Sequence, residues 1–387
     1  MDKKKQLAFN LNNFLLSTSH IFDYLESQHN NTSINHSKRV AFLSLKLGQK
    51  LGLNPSEMFD LCAYSLCHDI ALNEQRVKNV NFYELSEDKI KDFPFESGNS
   101  NILKYQGERF DGSGTFGLKA DHIPLFSQIL FFTQILDEKY DFSSKSIENR
   151  NNIITFVKQN TDILFDKKIV NIFIEISSSI DFWIDIQNEN DIVYFIFNNL
   201  HDFTKALDFD EVLNITSSLG DILDNKSLLV ANSEKMCEFY EFDHKDKYIF
   251  MITASLCNIG KLLIPVNILE KTEKLNQNEY EQMKSYPYLN KKILTNIMGF
   301  NDIAICASKV QECLDAKGYP FNLEAKDLSF KDRLLSTLNK YTSLRSEKKY
   351  RNSKRHEEAI EILKEDSNNK KLDITIINDI HKQLADI

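Results

Sequence analysis

Two stretches decide the fold: Glu108-Arg-Phe-Asp-Gly-Ser-Gly-Thr-Phe116 in the first half of the chain, and Glu312-Cys-Leu-Asp-Ala-Lys-Gly-Tyr-Pro320 in the second. Each begins with glutamate, has aspartate three residues later and glycine six residues later, and is followed by a leucine and an alanine. Two upstream blocks repeat in the same order: His36-Ser37 with Asn232-Ser233, and Ser65-Leu-Cys-His-Asp-Ile70 with Ala254-Ser-Leu-Cys-Asn-Ile259. Three ordered matches indicate an internal repeat, and hence two homologous halves of about 180 residues each.

The composition favours a helical, globular protein. Of the 387 residues, 42% are hydrophobic and 27% are charged, which excludes disordered and collagen-like chains. Only 11 glycines and 6 prolines interrupt the sequence, and so few breakers favour long helices over a many-turned β-sandwich. A net charge of −9 argues against direct nucleic-acid binding, because phosphate contacts require clustered lysine and arginine.

Apolar residues recur with helical spacing in both halves. The pattern predicts a helix over 37–51 that stops at Gly52, and a second helix that opens at Asn54-Pro55 and runs through 58–72. In the second half it predicts helices over 278–299 and 327–345. We therefore expect an all-α protein.

Domain boundaries follow from the repeat and from the segment 182–207, which is polar at its centre and then strongly apolar. We predict an N-terminal domain over 1–185, a connecting helix or linker over 186–204, and a C-terminal domain over 205–387.

No targeting or membrane signal is evident. No run of 18 apolar residues occurs, and the opening residues lack a small-residue cleavage site. The six cysteines form no close CxxC pair, which is typical of buried free thiols in a reducing compartment. We expect a cytoplasmic protein without a membrane partner.

The repeated blocks resemble the HD-GYP family of the HD superfamily. In the first half the resemblance is carried by His36-Ser37, His68-Asp69-Ile70 and the segment 108–125. In the second it is carried by Ile259-Gly-Lys261, Ile264-Pro265, 268–271 and Gly318-Tyr319-Pro320. The resemblance implies two helical bundle domains in tandem, each with two or three iron or manganese ions. It also implies a phosphodiesterase that acts on cyclic dinucleotides, chiefly cyclic di-GMP.

The first half keeps part of the family's metal-ligand set. His36, His68 and Asp69 match the motif, whereas the paired histidines before the glutamate are Gln106 and Gly107. Three further family positions also hold other residues. The middle histidine of the family falls near Phe82, its later aspartate falls on Gln134, and its lysine falls on Leu72. Asp137 lies one turn after Gln134.

The second half departs at different positions. It keeps Lys261, expected to contact phosphate, and the substrate loop Gly318-Tyr319-Pro320. The positions of the family's metal ligands hold other residues: Asn232, Cys257, Asn258, Tyr286, Val310, Gln311 and Asn339.

Without adjacent metals, both water activation and charge neutralisation weaken, so we expect a catalytically inactive signalling protein. It would bind a cyclic dinucleotide or a protein partner, and it could form a homodimer. No cofactor is expected beyond one divalent iron or manganese ion in the N-terminal domain, held by His36, His68 and Asp69, with Asp137 a weaker candidate.

Ligand-binding candidates are Lys261, Gly318, Tyr319 and Pro320, with Glu108 and Arg109 weaker. The alternative role for Glu108 is structural, in fixing its loop. The alternative to a metal site at His36, His68 and Asp69 is a relic triad whose members hydrogen-bond to one another. The alternative function is a metal-dependent cyclic di-GMP phosphodiesterase that uses the N-terminal half, with Asp137 or Glu108 completing the site.

Overall fold

The computed structural model describes residues 6–30, 35–72, 81–220, 226–347 and 351–385. Within these ranges the secondary structure is almost entirely helical, which confirms the predicted all-α class. A two-stranded antiparallel sheet pairs β1 (Gln6–Phe9) with β2 (Lys205–Asp208), with Gln6 opposite Asp208. Of the helices described, none combines the length and apolar character that a membrane crossing requires.

The chain divides into two compact lobes. The first lobe comprises residues 10–204, and the second comprises β1 together with the chain from Lys205 onward. The segment 186–204, which the sequence suggested as a connector, therefore lies within the first lobe. β1, which the sequence assigned to the N-terminal domain, pairs with the start of the second lobe.

The first lobe packs its helices around α2, whose Phe42 ring lies edge-on against Phe195 with centroids 4.9 Å apart. Phe42, Leu61 and Phe132 are completely buried at its centre. Its helices are α1 (Leu11–Asn30), α2 (His36–Leu51), α3 (Pro55–Cys67), α4 (Phe82–Lys89), α5 (Leu125–Lys139), α6 (Ile147–Gln159), α7 (Lys167–Ile176), α8 (Ile180–Asp185) and α9 (Glu189–Asn199), with a 3₁₀ turn at Ala120–His122.

The second lobe has a comparable series of helices around its own core, which includes the fully buried Leu256, Leu334 and Leu338. Its helices are α10 (Phe209–Gly220), α11 (Lys226–Phe239), α12 (His244–Leu256), α13 (Val266–Leu269), α14 (Gln277–Met283), α15 (Tyr286–Leu294), α16 (Asn301–Ser308), α17 (Phe330–Arg345), α18 (His356–Asn368) and α19 (Ile374–Gln383), with 3₁₀ turns at Ile259–Leu263 and Ala325–Asp327.

Local sequence explains where α2 ends and α3 begins. Gly52 takes a left-handed conformation (φ 76°) after α2, which a residue without Cβ adopts at little cost. The Asn54 side chain accepts from the Glu57 N–H, and the Glu57 carboxylate accepts from the Asn54 N–H, forming a capping box. The predicted stop and start are therefore confirmed.

Two predicted helices are shorter than the periodicity suggested. α3 ends at Cys67 instead of continuing to Leu72, which places His68 and Asp69 on the turn that follows the helix. The predicted helix 278–299 is divided into α14 and α15, because Pro287 has no N–H to continue a helical hydrogen-bond ladder across the junction. α17 begins at Phe330, behind a capping box formed by Ser329 and Asp332.

Candidate metal centre and ligand site

Three residues that the sequence singled out meet inside the first lobe. His36 is the first residue of α2, and His68 and Asp69 follow the C-terminus of α3. The Nε2 atoms of His36 and His68 are 3.1 Å apart, and the His68 Nε2 atom is 3.3 Å from Asp69 Oδ2. Both imidazoles are buried, whereas 14% of the Asp69 side chain is exposed.

The outer ring nitrogens fix the tautomers of both histidines. His68 Nδ1 lies 2.7 Å from the Ser65 carbonyl oxygen, and His36 Nδ1 lies 2.7 Å from Asp137 Oδ2. A carbonyl or a carboxylate only accepts, so each Nδ1–H donates outward. In the neutral rings, both Nε2 atoms therefore present lone pairs to each other, an arrangement that requires a proton or a cation between them.

This arrangement fits a divalent cation. Two ligand atoms at about 2.2 Å from a metal and roughly at right angles are about 3.1 Å apart, close to both inner distances of the set. Metal-bound histidine commonly donates its second N–H to a carboxylate or a carbonyl, as His36 and His68 do here. Two imidazoles and a carboxylate suit borderline divalent ions such as iron or manganese.

Asp137 supports the site from behind. Its Oδ1 accepts from Arg39 Nε at 2.6 Å, and its Oδ2 accepts from Arg39 Nη2 at 2.8 Å and from His36 Nδ1. Because both oxygens are engaged, Asp137 orients His36 instead of adding a ligand on the Nε2 side. The geometry does not support its suggested role as a weak metal ligand.

The charges around His36 explain its protonation. Burial alone would lower its pKa, but the hydrogen bond to Asp137 and the nearby carboxylates raise the pKa of His36 to about 10. In Asp137, burial is outweighed by the charge of Arg39 and by its hydrogen bonds, so its pKa is lowered. Burial lowers the pKa of His68. Without a metal, His36 therefore carries the proton that the facing nitrogens require.

Two acidic residues that sequence reasoning missed also reach this centre. Glu26 on α1 is buried, and its Oε2 lies 3.7 Å from His36 Nε2, with no hydrogen-bond partner among the residues that the structure describes. Burial raises the pKa of Glu26 to about 8. Glu138 on α5 completes a second potential ligand group with Glu26 and His36, in which the ligand atoms lie within 4.8 Å of one another. Neither acid belongs to a motif, so their convergence depends on how α1 and α5 pack.

The positions where the family has further ligands are filled in the first lobe. Gln106 donates to the His68 carbonyl oxygen at 3.1 Å and accepts from Gln134 at 2.8 Å. A Cβ atom on Gly107 would lie 2.2 Å from the hydroxyl oxygen of Tyr83, so that ring occupies the space of a side chain at 107. Tyr83, the residue after Phe82, therefore fills the space next to one of the two paired-histidine positions.

In the second lobe, neutral residues at the ligand positions bond to one another. Asn232 donates to Thr342 Oγ1 at 3.0 Å, which corresponds to the contact of His36 with Asp137 in the first lobe. Asn258 donates to Asn339 Oδ1 at 2.7 Å, and Gln311 donates to the Tyr286 hydroxyl at 2.8 Å. We call these six residues the neutral network.

The two loops quoted at the outset have the same internal structure. Glu108 accepts from the N–H groups of Phe116 and Leu118 at 2.6 and 2.7 Å, and Glu312 accepts from those of Phe321 and Leu323 at 2.7 and 3.0 Å. These matched contacts support the duplication predicted from sequence. Glu108 thus fixes its loop through backbone amides, while the neighbouring Arg109 is exposed.

The glycines of these loops permit close approach of the backbone. A Cβ on Gly114 would lie 2.7 Å from Glu108 Cα, and one on Gly318 would lie 2.4 Å from Glu312 Cα. Both glycines are therefore explained by packing against the glutamate six residues earlier, with no need for a ligand.

Lys261 and the Gly318-Tyr319-Pro320 loop approach the neutral network from different elements. The Lys261 ammonium lies 4.7 Å from the ring centroid of Tyr286. The Tyr319 N–H donates to the Gln311 carbonyl oxygen at 3.2 Å, and the Gln311 side chain in turn contacts Tyr286. Of the sequence-predicted ligand residues of the second half, Lys261 thus contacts Tyr286 directly, and Tyr319 is linked to it through Gln311.

A further histidine group in the second lobe is already satisfied. His356, Glu357 and His381 lie close enough to hold an ion, but the Nδ1 atom of His356 lies 2.7 Å from the Tyr341 hydroxyl. Its Nε2 atom donates to the His381 carbonyl oxygen at 3.1 Å. With both ring nitrogens engaged, His356 serves as a structural link between α17, α18 and α19.

An all-helical lobe in which a histidine on one helix meets a His-Asp pair at the end of another defines an HD-type domain. Residues 213–376 match the family described as HD domain. The chain is an HD-GYP-like protein of the HD superfamily.

Known relatives extend the similarity over most of the chain. It is 22% identical over 377 residues to 3'3'-cGAMP-specific phosphodiesterase 1 of Vibrio cholerae, covering 89% of this chain and 86% of that protein. It is 26% identical to 3'3'-cGAMP-specific phosphodiesterase 3 of the same organism, covering 64% of this chain and 54% of that one. Over 100 residues, about a quarter of each chain, it is 32% identical to the cyclic di-GMP phosphodiesterase PdeB of Borreliella burgdorferi.

A solved structure shares the fold. The crystal structure of the cyclic GMP-AMP-specific phosphodiesterase V-cGAP3 of V. cholerae superimposes with a TM-score of 0.68, covering 98% of this chain and 99% of that one. The sequence identity is 18%, so this likeness establishes the fold. Its similarity to these relatives makes the chain a phosphodiesterase-like protein.

Proposed function

We propose that this protein binds a cyclic dinucleotide in its second lobe without hydrolysing it. The observation that carries the proposal is the neutral network, which lies in the lobe matched by the HD domain family. Amide and hydroxyl groups that bond to each other offer no clustered carboxylate and imidazole lone pairs for adjacent metal ions. Hydrolysis of the family type depends on such ions to activate water and to neutralise the phosphate.

The ligand class follows from the groups that remain. Lys261 supplies a positive charge beside Tyr286, and charge-assisted contacts to phosphate are stronger than neutral ones. Tyr319 adds an aromatic ring, and nucleobases stack on such rings. The relatives named for cyclic GMP-AMP and cyclic di-GMP support the same class of ligand.

Calorimetry and a hydrolysis assay test this function. The purified chain, with Mn²⁺ or Fe²⁺, is incubated with cyclic GMP-AMP or cyclic di-GMP, and the nucleotide is quantified by chromatography. We expect binding by calorimetry and an intact nucleotide. Lys261→Ala should weaken binding about tenfold or more, whereas Lys331→Ala, which removes a lysine paired with Asp246 on the same lobe, should not.

Three outcomes would contradict the proposal: turnover of the nucleotide, no binding of either nucleotide, or equal affinity in both lysine variants. Binding of neither nucleotide would favour the alternative of a protein partner.

A second candidate function is a metal-dependent phosphodiesterase centred on the first lobe. The facing Nε2 atoms of His36 and His68 favour it, because they can hold a cation beside the partly exposed Asp69. When bound, that ion would act as a Lewis acid toward a phosphoryl oxygen. This function predicts turnover that is lost in His68→Ala and retained in Lys331→Ala.

A further inference from the structure

Aromatic and cationic side chains alternate along α14 and α15. The row consists, at intervals of four residues, of Tyr280, Lys284, Tyr288 and Lys292. That spacing keeps side chains on one side of a helix. The Lys284 ammonium lies 5.6 Å from the ring centroid of Tyr280. The Lys292 ammonium lies 5.4 Å from that of Tyr288, so each lysine lies beside the tyrosine that precedes it by four residues.

The loop after Gly318 completes this surface. Its Phe321 ring meets the Tyr288 ring edge-on, with centroids 6.1 Å apart, and the Lys291 ammonium lies 5.2 Å from the centroid of Phe321. Tyr280 and Tyr288 are 48% and 44% exposed, so part of each ring is open to solvent. We call this surface the lysine–aromatic face, and it comprises Tyr280, Lys284, Tyr288, Lys291, Lys292 and Phe321.

The lysine–aromatic face is cationic although the chain is acidic. Residues 282–301 contain three lysines and no aspartate or glutamate, whereas the whole chain has a net charge of −9. Glu281 pairs with Lys284 at 2.7 Å and so offsets one of the three charges. Among the residues that the structure describes, the ammonium groups of Lys291 and Lys292 form no ion pair. Two lysine charges on the face are therefore not neutralised by the protein.

Unpaired lysines next to exposed aromatic rings suit a flexible, anionic strand of nucleotides. Lysines contact phosphates whatever the base, and every base has a flat face that stacks on an aromatic ring. An acidic peptide would use the charges but would leave the rings without a stacking partner. A duplex would also use the charges, but its bases are stacked inside the helix. The combination therefore favours a single strand.

We propose that the lysine–aromatic face is a binding site for single-stranded nucleic acid. Lys291 and Lys292 contact backbone phosphates, and a base stacks on Tyr288. The net charge of the whole chain argued against such binding, but the local arrangement of charge decides which ligand a surface attracts. The proposal does not rest on the cyclic-dinucleotide site proposed around Lys261 and goes beyond it.

Fluorescence anisotropy with labelled single strands tests the site. The full chain is titrated into oligouridine or oligodeoxythymidine of about twelve nucleotides, a length within the range that one such site covers. We expect the logarithm of the binding constant to fall against the logarithm of the salt concentration with a slope of about −1.4, the value for two phosphate contacts on a single strand. Lys291→Ala and Lys292→Ala should each reduce the slope by about 0.7. Binding of either strand supports the proposal, and a preference identifies RNA or DNA as the ligand.

Variants of Tyr288 test the stacking contribution. Tyr288→Ala should weaken binding by at least about fivefold, whereas Tyr288→Phe, which keeps an aromatic ring, should bind within about twofold of wild type. An abasic strand of the same length keeps the phosphates and lacks the bases. It should bind at least about tenfold more weakly than the strand with bases.

Two variants elsewhere on the chain are matched controls. Lys331 also lies beside an aromatic ring, 5.6 Å from the centroid of Phe242, but it is paired with Asp246. Tyr194 on α9 is 72% exposed and belongs to the first lobe. Lys331→Ala and Tyr194→Ala should therefore leave oligonucleotide binding unchanged. Circular dichroism checks folding of the variants, because the single tryptophan, Trp183, lies buried in the first lobe and does not report on the second.

Three results would overturn the proposal. The first is no binding of either strand at about 100 µM protein, the upper end of the range for non-specific sites. The second is equal affinity for the abasic strand, which would show that charge alone makes the contact and would favour an acidic peptide. The third is an unchanged affinity and salt slope in the variants of Lys291, Lys292 and Tyr288.

The lysine–aromatic face borders the site proposed for a cyclic dinucleotide, since the rings of Tyr280 and Tyr319 meet edge-on with centroids 6.5 Å apart. Each site is tested with its own ligand, calorimetry with cyclic dinucleotides for one and anisotropy with single strands for the other. Failure of either proposal therefore leaves the other standing.

Discussion

At corresponding residues, the two lobes use different chemistry for the same contact. The first lobe joins α2 to α5 through His36 and Asp137, and the second joins α11 to α17 through Asn232 and Thr342. The first pair is ionic and is reinforced by Arg39, whereas the second is neutral. Because a charged pair that loses one partner leaves an uncompensated charge in the core, the two lobes should respond differently to single substitutions.

Asp137→Asn tests the ionic contact. The substitution removes the carboxylate that accepts two hydrogen bonds from the buried Arg39 guanidinium, so we expect the free energy of unfolding of the first lobe to fall by about 3–5 kcal/mol. Urea denaturation followed by Trp183 fluorescence measures this change. Asp185→Asn is the control, since the partly exposed pair of Asp185 and Lys46 at 3.9 Å should contribute less than about 1 kcal/mol. Equal losses in the two variants would contradict the role given to Asp137.

At the scale of elements, α9 holds the start of α2. Glu189, the first residue of α9, accepts from Asn35 Nδ2 at 3.2 Å and pairs with the buried Lys38 ammonium at 3.1 Å. The Lys38 ammonium is also 3.2 Å from a ring nitrogen of His20 on α1. Helices α1, α2 and α9 therefore meet next to His36, and the contacts of the Lys38 ammonium hold them together.

Acidification should loosen this junction in two steps. Burial, followed by the charge of Lys38, lowers the pKa of His20 against the opposing effects of Asp23 and Glu189. Below its unfolded pKa of 6.5, the unfolded state therefore binds a proton that the folded state does not, and stability falls. In Glu189, burial is outweighed by Lys38, and the pKa is lowered. Its contribution is present above its unfolded pKa of 4.5 and is lost as the pH falls through the folded value.

Variants at these positions separate the two steps. Glu189→Gln should reduce the free energy of unfolding at pH 7 by up to about 1 kcal/mol, because solvent screens the 40% exposed Glu189 side chain, and should flatten the decline below pH 4.5. His20→Gln should flatten the decline just below pH 6.5. Trp183 fluorescence in urea, recorded across this pH range, provides both measurements. A pH profile unchanged in either variant would contradict the assignment of that step.

At the scale of the whole molecule, the sequence predicted the architecture better than the site. The repeated blocks were sufficient to predict two similar halves. The Glu108 and Glu312 loops that mark the repeat are held by hydrogen bonds between residues close in sequence, so the motif itself specifies their structure. The meeting of His36 with His68 and Asp69 followed from the motif. Glu26 and Glu138 could not be predicted, since their approach is determined by the packing of helices that no sequence spacing specifies. The role of Asp137 depended on a rotamer held by Arg39.

The two lobes are expected to bind different ligands, and hydrogen exchange can locate each one. A ligand that binds only the folded state suppresses local opening of the elements that hold it. Mn²⁺ should therefore slow amide exchange in α2, α3 and α5, and a cyclic dinucleotide should slow exchange in 259–263 and 311–321. Exchange measured by mass spectrometry on the full chain reports both regions in one experiment. Nucleotide protection centred on α2 and α3 would instead place the phosphate beside His36 and His68, and would favour the phosphodiesterase alternative over a binding site in the second lobe.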